Sequence, residues 1–413
     1  MKVLNKCFEK MEFVLSVDFD YAQEAALSDP KDICNLVNNF IKIPIIEKPY
    51  LLIVNPKSGT QKGQKIYQNC IKEIFESHNI AYVLLMTEKP SHALGVVKNC
   101  ENLTDYRGII TVSGDGLVYE VFCGIFERMS WKDDLQSIPI GVIAAGSGNG
   151  LAASISSFAG IHPSGNLILQ NTLIFKDPQI QKKDLMILQT TERKEFLAFL
   201  SLTWGLIANV DVGSDKLRWM GTARFNISAA IHIAKLTKFK AKLWYLPVNT
   251  TFPKNNSYQY SYKSSIEQAS YSKYCFKYLK DINEPIPEDE GWILLDEKFI
   301  GIVVTLLPYL ASNAYVAPQA EIDDGKIHLL IINSNISRSE LLSFISKIEY
   351  GTHLLSRYIT LIECNAFRLV PECDKCLMAV DGENLTPCPI QGEIIPSAAQ
   401  IFTGLNSEGE LFI

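Results

Sequence analysis

The sequence predicts an α/β first half built on a parallel sheet, followed by a mainly β second half. Three observations carry this. Four short apolar runs alternate with helical stretches between 49 and 148. Glycine-containing loops follow the first, third and fourth of those runs. After about 183 the pattern changes to strand-like segments separated by turns. Short apolar strands alternating with helices imply a parallel sheet covered on both faces.

The elements follow in order. Residues 1–47 carry no chemical motif and read as an N-terminal extension, with 33–41 as a short amphipathic helix. PYLLIVNP, from Pro49, reads as a buried strand entering a turn. A helix is predicted over 64–77, with Ile66, Ile71, Ile74 and Phe75 on one side. Strands are then expected at 81–87, 108–114 and 138–148, and helices at 91–98 and 117–129. This places a first domain at 48–183 and a second at 184–413. Strand-like runs in the second are 184–190, 195–211, 242–252, 292–307, 326–333, 367–370 and 378–385. The stretch 254–289, rich in Ser, Tyr, Lys and Asn, reads as an inserted loop or linker. A helix is expected over 339–349, with Ser337 or Ser339 as its N-cap.

Composition narrows the function. The 413 residues carry 39 Lys+Arg against 45 Asp+Glu, a net charge of −6, which argues against a nucleic-acid binder held by bulk positive charge. The longest apolar stretch, 196–208, is interrupted by Ser201, Thr203 and Gly205 and is shorter than the ~20 residues a membrane span needs. The first residues are charged where a signal peptide would be apolar, so a cytoplasmic protein is expected, with its ten cysteines as reduced thiols. Cys373 and Cys376 form a lone CxxC without a second pair at zinc-site spacing.

The chemistry concentrates in three loops: Asn55-Pro56-Lys57-Ser58-Gly59, Ser113-Gly114-Asp115-Gly116 and Gly146-Ser147-Gly148-Asn149-Gly150. In an open parallel sheet, loops at the carboxyl ends of the strands gather in one crevice. Glycines there let backbone N–H groups approach an anion, and the last two loops lead into helix N-termini. None matches a standard fingerprint, since the third is spaced GxGxG and no GxxxxGK[ST] occurs. Three in succession nevertheless point to a phosphate or nucleotide site. Asp115, between two glycines, is a carboxylate inside that cradle. Two tasks fit it: holding Mg²⁺, or accepting the proton of an attacking hydroxyl.

Ser113-Gly-Asp-Gly-Leu-Val-Tyr-Glu120-Val with Ala145-Gly-Ser-Gly-Asn149 resembles the catalytic domain shared by diacylglycerol kinases and sphingosine kinases. Ser201-Leu-Thr-Trp-Gly-Leu-Ile-Ala-Asn-Val-Asp211 and Ala379-Val-Asp381-Gly-Glu383 resemble segments of sphingosine kinases in particular. The resemblance spans about 48–413. It implies an α/β nucleotide-binding domain followed by an antiparallel β-sandwich lipid-binding domain, and an ATP-dependent lipid kinase, most closely one acting on sphingosine. It implies that Asn55, Pro56, Lys57, Thr87, Glu88, Lys89, Pro90, Ser91, Glu120, Gly146, Ser147, Gly148, Arg218, Arg224, Asp381 and Gly382 line the ATP site. Ser113, Gly114, Asp115 and Gly116 would meet the lipid's reacting end, with Asp115 as proton acceptor; Ser201 and Asp211 would bind its amino-alcohol head, and His353 would wall the pocket. Mg²⁺ would be held mainly through ATP, with Asp381 or Glu383 as the protein's ligand.

The chain departs from the family pattern at Asn209, where a second acid is usual, and in the 254–289 segment. The rival readings are a kinase for another lipid, such as diacylglycerol or ceramide, and a non-catalytic lipid-binding scaffold. Seven basic residues and no acid lie between 216 and 242. The lysines among them, beside Ile227, Ile231 and Ile233, suit transient peripheral contact with an anionic membrane. A homodimer is left open.

Overall fold

In the computed structural model the described residues are 48–404, apart from 164, 193, 215–222, 249–273, 288–289 and 374–375. The extension 1–47, Arg218 and much of the 254–289 segment therefore lie outside them.

The first four strands are β1 (Tyr50–Val54), β2 (Tyr82–Met86), β3 (Ile109–Ser113) and β4 (Ile140–Ala144). They pair in parallel in the order β2-β1-β3-β4. Successive side chains of a strand face opposite sides. Leu51, Ile53, Ile109, Ile140 and Val142 accordingly join one apolar cluster, and Tyr50, Leu52, Val54, Ile110 and Ile143 the other. Every residue of β1, β3 and β4 is buried, which is why these strands read as unbroken apolar runs.

Helical backbone after β1 begins at Ser58, passes a π-turn at Tyr67–Ile71 and ends in α1 (Lys72–Ser77). The remaining helices of this half are α2 (His92–Asn99), α3 (Asp115–Phe126), α4 (Trp131–Ser137), α5 (Gly150–Phe158) and α6 (Leu167–Leu173).

The second half contributes β5 (Gln179–Thr190), β6 (Glu195–Ala198) and β7 (Ser201–Gly205), then α7 (Leu206–Gly213) and α8 (Ala223–Lys235). The segment 195–211 is thus not one strand. Gly205 adopts φ +77°, and a Cβ there would lie 2.7 Å from the Ile300 carbonyl oxygen. The chain turns at this glycine, so Asp211 sits on a helix rather than at a strand end. β8 (Phe239–Pro247), β9 (Ile293–Thr305), the short pair β10 (Tyr309–Ala311) and β11 (Ala314–Tyr315), and β12 (Ile327–Asn333) follow. α9 (Arg338–Lys347) opens on a Ser337/Glu340 capping box, as the sequence suggested. β13 (Ile359–Pro371), the hairpin β14 (Met378–Val380) with β15 (Glu383–Leu385), and β16 (Ile390–Thr403) complete the chain.

β9 and β13 are long and bent. β9 pairs with β8 up to Phe299 and with β12 from there on, and β13 pairs with β12 up to Cys364 and with β8 beyond. The four close on themselves, giving the antiparallel sandwich the resemblance implied. β16 has no counterpart in the sequence reading, because Pro396 and Ser397 (φ +50°) interrupt its pattern. They form a bulge, where the register with β5 shifts between Ile395 and Ala399. β16 also lies parallel to β4 through Ile401 and Ile140, which makes both halves part of one 14-stranded sheet.

Residues 274–287 pack down on the sandwich without joining a ladder. Leu279 is buried with Leu246 and Ala366, and the Glu393 carboxylate accepts the N–H groups of Lys277 and Tyr278 at 2.7 and 2.9 Å. Buried Arg368 donates to the carbonyls of Asp281 and Glu284. These anchors sit on distant strands, so loop composition alone does not show them.

Candidate active site

The glycine loops meet backbone to backbone. A Cβ on Gly146 would lie 2.3 Å from the Gly114 Cα, so this contact tolerates only glycine. Asn149, at φ +95°, braces the third loop: its Oδ1 accepts the Gly146 N–H at 2.9 Å, and its Nδ2 donates to the Gly146 carbonyl at 3.0 Å. Ser58 and Ser113 share a hydroxyl–hydroxyl bond of 3.0 Å, tying the first loop to the second.

Asp115 is the first residue of α3 and is buried. Its Oδ2 accepts the N–H groups of Asn149 and Gly150 at 2.7 and 2.8 Å, and its Oδ1 that of Leu151 at 3.2 Å. The carboxylate therefore caps the start of α5 and is held rigidly, with Oδ1 the less occupied oxygen. Burial raises its pKa, against the opposing pull of the amides.

Asp381 is its counterpart from the other half. It sits at φ +50° beside Gly382 at φ +84° in the β14–β15 turn. Its carboxylate accepts the N–H groups of Phe199 at 3.0 Å, Leu200 at 2.9 Å and Ser201 at 2.7 Å. Burial pushes it up to about 7, with the Asp115 charge adding to the rise. Glu383 follows: its Oε1 lies 3.1 Å from where a Cβ on Gly116 would be. Among the described residues no group of three His, Cys, Asp or Glu is placed to hold a metal ion.

A cleft of about 600 Å³ runs past these groups. Asn55, Pro56, Lys57, Thr87, Glu88, Lys89, Pro90, Glu120, Ser113 to Gly116, Gly146 to Gly148, Ser201, Asp211, Arg224 and Asp381 to Glu383 all line it. Of the expected site residues, Ser91 and His353 do not, and Arg218 lies outside the described residues. Ser91 (φ +59°) donates its N–H to Glu120 at 3.0 Å, and Glu120 also accepts from Ala93 at 3.1 Å. The Glu120 carboxylate thus fixes the 87–91 turn. His353 is a correction: it is buried one layer behind the wall, donating from Nε2 to the Val316 carbonyl at 3.1 Å and meeting the Phe344 ring edge-on. Burial lowers its pKa.

Arg224 and Asp211, expected to face different ligands, lie 3.5 Å apart as an ion pair, with Arg224 almost fully buried. Asn209 is buried and accepts the Leu377 N–H at 3.2 Å, so it anchors the strand beside it. The sequence reading missed the cleft's apolar arm, which includes Ile207, Val210, Phe225, Val316, Ile345 and Ile348. Ile207 and Val210 are three apart on α7, a signal visible only once that segment is known to be helical.

The basic cluster of 216–242 also divides. Lys240 pairs with Asp296, and Lys242 lies 4.0 Å from Asp296 and 3.9 Å from Glu372. Ile233 is buried, whereas Ile227 and Ile231 are 40% and 51% exposed. Among the described residues no helix is long and apolar enough to cross a membrane.

Two families match this architecture: the diacylglycerol kinase catalytic domain over residues 49–177, and the YegS C-terminal NAD kinase beta sandwich-like domain over 291–403. In structure the chain is similar to a putative diacylglycerol kinase from Bacillus anthracis str. Sterne, with a TM-score of 0.58 at 15% identity, covering 87% of this chain and 96% of that one. The diacylglycerol kinase catalytic domain, in a chain whose glycine loops and apolar side chains line one cleft, makes the protein a lipid kinase. It is 30% identical over 359 residues to sphingosine kinase 1 of Rattus norvegicus, covering 86% of this chain and 90% of that protein. Sphingosine kinase 1 of Arabidopsis thaliana is 31% identical over 325 residues, 78% of this chain and 64% of that protein. The chain belongs to the sphingosine kinase family.

Proposed function

We propose that the protein transfers the γ-phosphoryl group of ATP to the primary hydroxyl of sphingosine or a related sphingoid base, giving sphingosine 1-phosphate and ADP. The observation that carries this is a single cleft lined by Asp115 and the glycine loops, by the Asp211 carboxylate and by a group of apolar side chains. The nucleotide lies along Asn55 to Lys57, Thr87 to Pro90 and Gly146 to Gly148; Asn149 holds the Gly146 N–H, and the backbone N–H groups of Ser147 and Gly148 face the phosphates. The lipid hydroxyl sits at Ser113 to Gly116, and Asp115 Oδ1 takes its proton as the oxygen attacks the phosphorus in line. Fixed amides then spread the charge of the transition state.

Mg²⁺ would neutralise phosphate charge when bound. It prefers six oxygens and keeps several waters. Asp115 and Asp381 each already accept three amide N–H groups, so the donor set fits an ion carried in on the nucleotide, with Glu383, beside Gly116, as the protein's oxygen donor.

The Asp211–Arg224 pair favours a second reading. A sphingoid ammonium must share Asp211 with Arg224, whereas diacylglycerol or ceramide would leave that pair undisturbed. Purified protein with labelled ATP and Mg²⁺, offered sphingosine, dihydrosphingosine, ceramide and diacylglycerol, separates the two. Turnover of the free bases with little of ceramide is expected. Asp211→Asn should raise the KM for sphingosine about tenfold or more, the worth of a charge-assisted bond, and the ATP KM much less. Equal turnover of sphingosine and ceramide favours the uncharged lipid, and no turnover of any lipid favours a scaffold.

The lipid must be collected from a membrane. Ile227 and Ile231 lie one turn apart on α8, and Lys235 and Lys238 are exposed just beyond. Two lysines near an anionic surface contribute about 1 kcal/mol each. The protein should co-sediment with phosphatidylserine vesicles at low salt, and Ile227→Ser with Ile231→Ser should reduce this severalfold. Equal binding to neutral vesicles at every salt concentration would count against the lysines' part.

A further inference from the structure

We propose that Thr203 is a specificity residue that reads a hydroxyl on the lipid just beyond its polar head, so that a hydroxylated long-chain base is preferred. This rests on the sphingoid-base reading above. Thr203 lines the cleft and is 6% exposed, and its Oγ1 is buried with no hydrogen-bond partner. Two other buried threonines of the same sheet are satisfied: Thr305 Oγ1 donates to the carbonyls of Leu200 or Leu307 at 3.1 and 2.9 Å, and Thr111 Oγ1 to that of Gly141 at 3.2 Å. Trp204 and Thr403 also carry buried atoms without a partner, but neither lines the cleft.

An unpaired buried hydroxyl destabilises the free protein, where a valine of the same shape would not. A ligand that supplies a partner relieves that penalty. Rotation about χ1 exchanges a threonine's hydroxyl and methyl positions, so the hydroxyl can turn to the cleft when a partner arrives.

Position selects the partner. Ser201 and Thr203 lie on one face of β7, about 6.6 Å apart. Ser201 is at the polar end, where its N–H bonds Asp381. Thr203 pairs with Ala379, one strand repeat further from Asp381, and the chain that follows supplies the apolar lining residues Ile207 and Val210. Thr203 therefore meets the lipid where head passes into tail. A plain hydrocarbon offers nothing to bond there, and a chain hydroxyl does.

The test compares 4-hydroxysphinganine with sphinganine, which differ by that one hydroxyl. The wild type should prefer the hydroxylated base in kcat/KM. Thr203→Val should lower this preference about five- to tenfold, chiefly through the KM of the hydroxylated base. Its melting temperature should match or exceed the wild type's, and Thr203→Ser should keep the preference. An unchanged preference in Thr203→Val, or a melting temperature several degrees lower, overturns the proposal. If the wild type phosphorylates neither base, the sphingoid-base reading itself has failed.

Discussion

Replacing Asp115 with Asn should lower kcat by about 10²–10⁴-fold, the usual worth of a general base. The structure adds a second effect that residue shape alone would not suggest. Asp115 accepts three backbone N–H groups at the start of α5. An Asn can offer its oxygen to Asn149 and Gly150, but its amide nitrogen then faces the Leu151 N–H, donor against donor. A loss of about 1–3 kcal/mol in stability should accompany the loss of rate. ATP affinity, measured by calorimetry below the melting transition, separates the two effects and should stay within severalfold of wild type. The pH profile is an independent check. A base must be ionised to act, and burial raises the Asp115 carboxyl above its ordinary 3.8. The wild-type kcat/KM should therefore fall on the acid side with an apparent pKa above 3.8. That limb belongs jointly to Asp115 and Asp381, which repel one another. Near-normal turnover in Asp115→Asn would remove Asp115 from the base role.

Gly116→Asp should abolish activity, by more than about 100-fold, in a protein that still folds. A Cβ at this position meets only the end of the Glu383 side chain, at 3.1 Å, so backbone need not move. An acid in the first turn of α3 also suits the helix dipole. The damage is electrostatic. The new carboxylate would join Asp115, Asp381 and Glu383 where nucleotide phosphates are expected, and like charges in a buried site repel strongly. Gly116→Ala is the informative companion. It adds the same Cβ without the charge, and Glu383 can shift, so it should retain most activity. Similar losses in both variants would point to crowding instead. An Asp variant with unchanged ATP affinity and turnover would mean that the loop does not touch phosphates.

What the sequence determined by itself was whatever local pattern controls. The parallel strands were legible because they are buried on both faces, and the glycine loops because close backbone contact admits no other residue. Asp115 stood out because a carboxylate between two glycines, inside a loop expected to hold phosphate, needs a task. The tertiary structure decided what depends on partners far apart in the chain. It paired Asp211 with Arg224, moved His353 behind the cleft wall and turned 206–213 into a helix after Gly205. It gave Asp381 three amides from a turn 180 or more residues away, and joined the two halves through a strand that Pro396 had disguised. Local propensity and spacing operate within a few residues. Which buried polar group finds a partner, and which, like the Thr203 hydroxyl, is left without one, is settled only when distant strands are brought together.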